Sequence, residues 1–195
     1  MKNKKLFWLA AIAGMVFILS CKTTGAANET ITLNGMVYDF TNKPVPYCEI
    51  SIGEKFGSGT DINGRFTVTG IPPGVYPVTG QKEGYETYME ELPIQGIGQI
   101  IYIRIPSLKQ LIDLTELAMK AQNMRLVEEY AERALAIDGA SSDAFMYCAT
   151  VKLSKNDIPG AINVFETGIE AGNRDIFIEL ALEQLRETWD ALRKE

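Results

Sequence analysis

The sequence TDINGRFTV, at residues 60–68, decides the fold of the first half of the chain because it joins a turn directly to a strand. Asn63 and Gly64 are residue types that accept the positive backbone angles of a tight hairpin turn. After the turn, Phe66 and Val68 alternate with polar residues, which places both apolar side chains on one face of a strand. The stretch therefore predicts a β-hairpin with one buried face.

The same alternation continues on both sides of this hairpin, from about residue 30 to residue 105. Gly and Pro interrupt it about every eight to twelve residues, and no helical period competes with it. The apolar positions that should share a buried face are Leu33, Gly35 and Val37, then Cys48, Ile50 and Ile52, and finally Ile101, Ile103 and Ile105. Short alternating strands with evenly spaced turns predict an antiparallel β-sandwich.

Motifs in this region occur in the order found in the carboxypeptidase regulatory-like domain, and about residues 30–106 resemble that family. They are GMVYD at 35–39, KPVPYCEISI at 43–52, TDINGRFTV at 60–68, IPPGVY at 71–76 and the pair Gly84-Tyr85. The resemblance implies a transthyretin-like sandwich of about seven strands. It also implies an accessory module rather than a catalytic one.

Histidine is missing from the whole sequence, and this excludes several kinds of active site. A nucleophile activated by histidine, a histidine general base and a histidine-based zinc site are all impossible. After Cys21 only Cys48 and Cys148 remain, too few for a zinc site built from cysteine alone. We therefore expect no catalytic residues, no metal site and no cofactor, and the chain is not expected to be an enzyme.

Two further patterns need an explanation. The run starting at Asp61 looks like the beginning of a calcium loop, but its twelfth place is Pro72 instead of the glutamate that such a loop requires. A hairpin turn is therefore favoured there.

Cys48 and Cys148 fall at core-facing positions of different predicted domains, so buried free thiols are favoured over the disulfide that an oxidising compartment would allow.

From Leu108 onwards the period changes to that of helices, and the segment that starts there is repeated in the segment that starts at Ser142. The offset between the two segments equals the period of tetratricopeptide repeats, and the sequence ALAID at 134–138 resembles the end of such a repeat. We expect repeats at about 108–141 and 142–175 and a capping helix at 175–194. The apolar stripe expected on the capping helix comprises Phe177, Ala181, Leu185, Trp189 and Leu192.

The expected fold class is α+β in two domains. An N-terminal antiparallel β-sandwich occupies 30–106, and a tetratricopeptide-like helical array with its capping helix occupies 107–195. Two repeats and a cap are fewer than the three or so repeats needed for independent stability. Because the linker between the domains is also short, we expect the first helix to pack against the sandwich.

A targeting signal is predicted at residues 1–20. Three lysines within residues 1–5 precede an uncharged apolar run of 14 residues at 6–19, well short of the ~20 needed to span a bilayer as a helix. A basic start, a short apolar middle and a small residue before the cleavage point typify a secretory signal peptide. The sequence ILSC at 18–21 resembles the lipobox of bacterial lipoproteins, which implies that Cys21 is acylated and begins the mature chain.

This resemblance implies a cell-envelope protein held in the lipid bilayer through acylated Cys21. Residues 21–29 are small and polar, as in a flexible tether. By similarity to the enterobacterial sorting rule, Lys22 instead of Asp after the cysteine favours the outer membrane, with the protein periplasmic or surface-facing. Without residues 1–20 the chain has 16 basic and 25 acidic side chains, a net charge of −9, which argues against nucleic acid as a partner.

The helical half suggests a function, because tetratricopeptide arrays bind peptides or helices in a groove lined by the first helix of each repeat. The lining positions implied by this resemblance are Ile112, Glu116, Met119, Met146, Thr150 and Leu153. We expect a non-catalytic adaptor that holds an envelope protein there, although Met and Leu in these positions also suit a core. The alternative is a glycan-binding module whose sandwich presents Tyr47, Tyr85, Tyr88 and Tyr102.

Overall fold

The computed structural model describes residues 30–96 and 98–194. This part of the chain consists of seven strands followed by five helices, so the predicted β-sandwich followed by a helical unit is confirmed. The predicted signal, Cys21 and the tether at 21–29 lie outside the described residues.

The strands form two sheets that pack face to face. Their bounds are β1 (Ile31–Tyr38), β2 (Glu49–Ile52), β3 (Phe56–Gly59), β4 (Arg65–Ile71), β5 (Gly74–Gln81), β6 (Tyr88–Ile94) and β7 (Ile100–Arg104). One sheet has the strand order β4-β1-β7, and the other has the order β3-β2-β5-β6.

Alternation along the strands fills the space between the sheets, as the sequence predicts. The buried side chains include Leu33, Val37, Cys48, Ile50, Ile52, Phe66, Val68, Ile103 and Ile105. Gly35 lies against the ring of Phe66, and a Cβ atom at Gly35 would collide with that ring. The glycine is therefore required by close packing inside the sandwich.

One strand pair differs from the expected antiparallel arrangement. β1 and β7 are parallel, in a register that pairs Asn34 with Ile100 and Tyr38 with Arg104. Between β6 and β7 the chain crosses from one sheet to the other. β7 is therefore not joined to its new neighbour β1 by a tight hairpin, and it can run parallel to it. As a result, the chain enters the sandwich at Ile31 at one end and leaves it at the opposite end.

The helices follow one another as a regular array. Their bounds are α1 (Leu108–Lys120), α2 (Met124–Ile137), α3 (Ser142–Ser154), α4 (Ile158–Glu170) and α5 (Ile176–Leu192). The starts of α1, α3 and α5, at positions 108, 142 and 176, are evenly spaced, and the starts of α2 and α4, at positions 124 and 158, have the same spacing. Within the described residues, no helix is both long enough and apolar enough to cross a membrane.

The turns inside the two helical pairs are built alike. Gln122 and Asn156 occupy equivalent places in the two pairs, and both adopt a positive φ, of 54° and 58°. The next residue caps the following helix in each case, since Asn123 accepts the N–H of Leu126 and Asp157 accepts that of Gly160. The repeat seen in the sequence therefore reappears in backbone geometry.

The sandwich and the helices meet through loops and one side-chain clamp. The N–H of Leu108 donates to the carbonyl of Gly84 at 2.9 Å. Arg133 in α2 donates two hydrogen bonds to the carboxylate of Glu86, each 2.7 Å long, and its guanidinium lies 5.8 Å from the ring centroid of Phe40. α1, which we expected to pack against the sandwich, contacts it mainly through its N-terminus, and the clamp comes from α2.

Candidate protein-binding groove

A groove of about 330 Å³ opens between α3 and α5. Its walls are Met146, Thr150 and Leu153 on α3 and Ala181, Gln184, Leu185 and Thr188 on α5, with Ala149 and Phe165 beneath them. None of these side chains is ionisable. We call this surface the α3–α5 groove.

The spacing of the lining residues explains why they share one surface. Positions 146, 150 and 153 are separated by four and three residues, which places them on one face of α3. Positions 181, 184 and 188 are separated by three and four residues and likewise lie on one face of α5. Each face covers seven residue steps, or about 10 Å of helix at 1.5 Å per residue.

Close packing beneath the groove fixes the separation of its walls. Phe145 and Phe165 are 4% and 3% exposed and lie in one apolar cluster with Ile178 and Leu182 of α5. Gly168 in α4 allows the ring of Phe145 to approach, because a Cβ there would lie only 3.0 Å from that ring. α5 is thus anchored on its inner side, and its other side remains available to form a wall.

The structure brings together three of the six predicted lining residues. Met146 is 40% exposed and Leu153 is 38% exposed, and both line the α3–α5 groove with Thr150. Ile112 and Met119 of α1 are half-buried and pack against the apolar clusters between α1, α2 and α3.

Glu116 is exposed, and its carboxylate accepts a 2.6 Å hydrogen bond from Lys120. The α1 positions are therefore separate from the α3–α5 groove.

The α5 wall was missed as a binding surface, although the sequence contains a signal for it. Extending the repeat offset once more makes Gln184 the equivalent of Thr150, and Leu180 the equivalent of Met146. Leu180 is indeed 52% exposed. The helix predicted as a cap therefore begins at the same offset from α3 as α3 does from α1.

The predicted apolar stripe of α5 is wrong in part. The buried residues are Ile178 and Leu182, whereas Phe177 is 70% exposed and Leu192 is 52% exposed. Ala181, Leu185 and Trp189 are half-buried. The reason is that α5 is apolar on more than one side, so periodicity alone does not identify the side that packs. Phe177 lies four residues before Ala181, on the face that lines the groove.

Both cysteines of the described residues are free and buried, one in each unit. Burial raises the pKa of the Cys48 thiol and of the Cys148 thiol to about 11. Cys148 lines a smaller pocket of about 200 Å³ beside Glu128, whose carboxylate binds Lys152 and Lys155 at 3.4 and 2.9 Å. These thiols are protonated at neutral pH and are poor nucleophiles.

The tyrosines of the alternative glycan hypothesis are not gathered on one surface. Tyr102 is 65% exposed and lies on β7 of the three-stranded sheet, whereas Tyr88 lies on β6 of the other sheet. Tyr47 is 73% exposed in a loop, and the ring of Tyr85 lies 5.1 Å from the ammonium of Lys82. No aromatic platform for a sugar is apparent among the described residues.

The carboxylate of Asp61 stabilises the predicted turn. Its Oδ1 atom accepts the backbone N–H groups of Asn63 and Arg65 at 2.8 Å each, and the hydrogen bond from Arg65 is the main cause of its lowered pKa. Of the two expected turn residues, only Gly64 adopts a positive φ, of 73°. Among the described residues, no group of three acidic, Cys or His side chains is placed to bind a metal ion.

Comparison with known families identifies the first unit. Residues 32–99 match the model of the Carboxypeptidase regulatory-like domain. This module is a non-catalytic, immunoglobulin-like fold. A search of curated proteins found no match to the chain.

Solved structures similar to the chain cover less than half of it. A type II cohesin–X-dockerin complex from Acetivibrio cellulolyticus is 17% identical with a TM-score of 0.35, over 44% of this chain and 72% of that chain. Catechol 1,2-dioxygenase from Acinetobacter sp. ADP1 is 11% identical with the same TM-score, over 44% and 55%.

The major pilin subunit BcpA of Bacillus cereus is 17% identical with a TM-score of 0.32, over 40% of this chain and 28% of that chain. These similarities are too distant to carry a functional argument.

Proposed function

We propose that this protein is a lipid-anchored adaptor of the cell envelope that holds a protein partner in the α3–α5 groove. The observation that carries the proposal is an uncharged groove whose two walls present matched helical faces. Such a groove suits the apolar face of a helix or peptide, because the transfer of apolar surface out of water is favourable. The lining includes Met146, whose flexible thioether adapts to partners of different shape.

The anchor is proposed from the sequence and fits the topology of the sandwich. Acylation at Cys21 would attach the chain to a bilayer ahead of β1. Because β1 and β7 are parallel, the chain then crosses the sandwich from Ile31 to Arg104, a distance of about 20–25 Å at 3.3 Å per residue. The helices follow at the end away from the tether. The sandwich thereby acts as a spacer that holds the groove away from the lipid surface. If Lys22 directs sorting as expected, that surface belongs to the outer membrane.

A rigid connection between spacer and groove supports the same proposal. Arg133 and Glu86 form a bidentate ion pair in which both side chains are less than one-third exposed. Charge-assisted pairs of this geometry are the stronger and more directional kind of hydrogen bond. A bound partner would therefore be held at a fixed orientation relative to the sandwich.

The experiment that tests the groove changes Met146→Asn and Leu153→Asn together. These substitutions remove apolar contact without adding charge, and each apolar side chain of this size contributes about 1.5–3 kcal/mol when fully buried. We expect at least tenfold less partner to be recovered from detergent-solubilised envelope with the double variant. Recovery would be quantified by mass spectrometry against the unaltered protein.

Leu117→Asn provides the matched control, because Leu117 is 61% exposed on α1 and lies outside the groove. It carries the same loss of helix propensity as Leu153→Asn alone and should leave recovery unchanged. All variants must show the melting temperature of the parent protein. Equal recovery with the double variant and with the parent would refute the groove as the binding site.

A further inference from the structure

We infer that the sandwich rests on the lipid bilayer through an uncharged apolar surface at the end where β1 begins. This surface comprises Pro72 and Pro73 between β4 and β5, Val75 on β5, Pro93 on β6 and Ile100 on β7. We call it the tether-end surface. The inference rests on the anchor of the proposed function and adds a second, non-covalent contact with the same bilayer.

Strand directions place these residues at one end of the sandwich. β1 begins there at Ile31, which pairs with Ile71 at the end of the antiparallel strand β4. β5 follows after only two residues, both proline, and therefore begins at the same end. Val75 near the start of β5 pairs with Pro93 near the end of β6. β7 is parallel to β1, so its first residue, Ile100, lies near this end as well.

The side chains of the tether-end surface are open to solvent. Val75 is 62% exposed and Ile100 is 54% exposed. The three prolines of the surface are exposed too. An apolar surface of this kind gains free energy when a contact removes it from water.

Charge is distributed unevenly between the two ends of the sandwich. Residues 66–81 and 92–103, which contain the whole tether-end surface, include no charged residue. The β2–β3 turn adds Glu54 and Lys55 nearby, one acid and one base, so the described residues at this end carry no net charge. The connections at the opposite end carry Asp39, Lys43, Asp61, Lys82, Glu83 and Glu86.

Backbone polar groups at the tether-end surface are suited to contact with lipid. Pro72, Pro73 and Pro93 have no N–H group that would need a partner. The carbonyl of Pro72 accepts a 3.0 Å hydrogen bond from the hydroxyl of Tyr76, and the carbonyl of Pro93 accepts one of 2.8 Å from the side chain of Gln99. Both carbonyls remain bonded when water leaves, which avoids the cost of burying an unpaired polar group.

The length of chain before β1 selects the bilayer as the occupant of this surface. Residues 21–29 reach at most about 30 Å when fully extended. An acylated Cys21 would therefore keep the tether-end surface near the headgroups at a high effective concentration, at which weak apolar contacts are sufficient for docking. A soluble partner would have to compete with a bilayer to which the chain is already attached.

The position of the acidic helices favours the same orientation. Residues 107–195 contain 16 acidic and ten basic side chains, a net charge of −6, and they follow the sandwich at the end away from the tether. Anionic lipids repel acidic protein surfaces at short range. Contact through the uncharged end keeps the two negative charges apart.

The test places an environment-sensitive, thiol-reactive fluorophore at Val75→Cys in the full lipidated chain. The chain would be reconstituted in phosphatidylcholine vesicles that contain nitroxide-labelled lipid. We expect the nitroxide to quench this probe about threefold more strongly than a probe at Ile62→Cys, because apolar surfaces enter the bilayer interface by about 5–10 Å. Ile62 is 70% exposed in the turn before β4, at the opposite end of the sandwich.

Only the introduced thiol should react with the fluorophore. Cys48 and Cys148 are buried, and their thiols are protonated at neutral pH. The thiol of an acylated Cys21 is blocked. The parent chain treated with the fluorophore provides the background signal.

A second probe position tests the surface as a unit. Ile100→Cys lies on the other sheet and should be quenched like Val75→Cys. Adding Val75→Glu should at least halve the quenching of the Ile100→Cys probe, because a charge resists leaving water. The matched control, Ile62→Glu, should leave that quenching unchanged. All of these positions are exposed, so every variant should keep the melting temperature of the parent protein.

The outcomes separate this inference from the anchor on which it rests. Equal quenching of the probes at positions 75 and 62 overturns the inference and leaves the anchor standing. If labelled fatty acid does not enter the chain at Cys21, the anchor and the inference both fall. A Val75→Cys probe that is shielded from water in intact envelopes but not quenched in vesicles would show that a protein or glycan covers the surface, and it would overturn the contact with lipid.

Discussion

Phe145→Ala should lower the free energy of unfolding of the helical unit by about 3–5 kcal/mol, the usual cost of emptying a buried aromatic site. Phe145 is 4% exposed and packs against the residues that anchor α5, and Gly168 leaves no side chain that could fill the space. The loss would be measured by chemical denaturation. Trp189, half-buried on α5, provides the fluorescence signal.

The matched control is Phe177→Ala, the same substitution at a phenylalanine that is 70% exposed. Exposed positions of this kind usually change stability by no more than about 0.5 kcal/mol. Similar losses from the two variants would contradict the packing of α5 described above. They would also remove the structural basis of the α3–α5 groove.

Cys21→Ala should abolish lipid attachment completely, because the proposed anchor is a covalent modification of that one side chain. Cells fed a labelled fatty acid should incorporate label into the parent protein and none into the variant. The variant should be released from the membrane fraction or should retain its signal peptide. Such an all-or-none result follows because no other residue of the predicted lipobox carries a thiol.

Cys148→Ala is the control for that experiment. Cys148 is buried, and its pKa of about 11 keeps it protonated, so its removal should leave labelling unchanged. If Cys21→Ala still carried label and remained with the membranes, the lipoprotein prediction would be wrong. The groove proposal would survive that result, because the groove does not depend on the anchor.

Much of the fold could be predicted from local pattern. Alternation at Phe66 and Val68, or at Ile50 and Ile52, identifies buried faces of strands because the side-chain period of a strand is two. The constant repeat offset places α1 to α4 because the same turn and cap chemistry recurs at Asn123 and Asp157. The residues that form each of these signals lie within a few positions of one another, so each pattern can be recognised before the fold is known.

Features that depend on distant partners could not be predicted in this way. The parallel pairing of β1 and β7 is set by the crossing between sheets, and alternation is identical in parallel and antiparallel strands. The clamp between Glu86 and Arg133 joins residues 47 apart in the sequence. Ordinary charged residues of this kind give no sign of pairing until the fold is known.

The candidate site was predicted only in part for the same reason. Met146 lines the groove, whereas Met119 on α1 packs beside Val127 and Tyr147. Nothing in the local sequence distinguishes the two methionines. α5 is equally ambiguous, because Phe177 and Ile178 are adjacent apolar residues and only packing on α4 decides that Ile178 is buried.

The most direct test of the central claim is a methyl NMR titration of the mature chain with methionine methyl groups labelled. Residues 21–195 contain five methionines, of which Met146 lines the groove and Met36 and Met89 lie in the sandwich. On addition of an 18-residue amphipathic peptide with a Leu/Ala stripe, the account predicts that the Met146 signal shifts while those of Met36 and Met89 stay in place. An unmoved Met146 signal at a peptide concentration that saturates binding would contradict it.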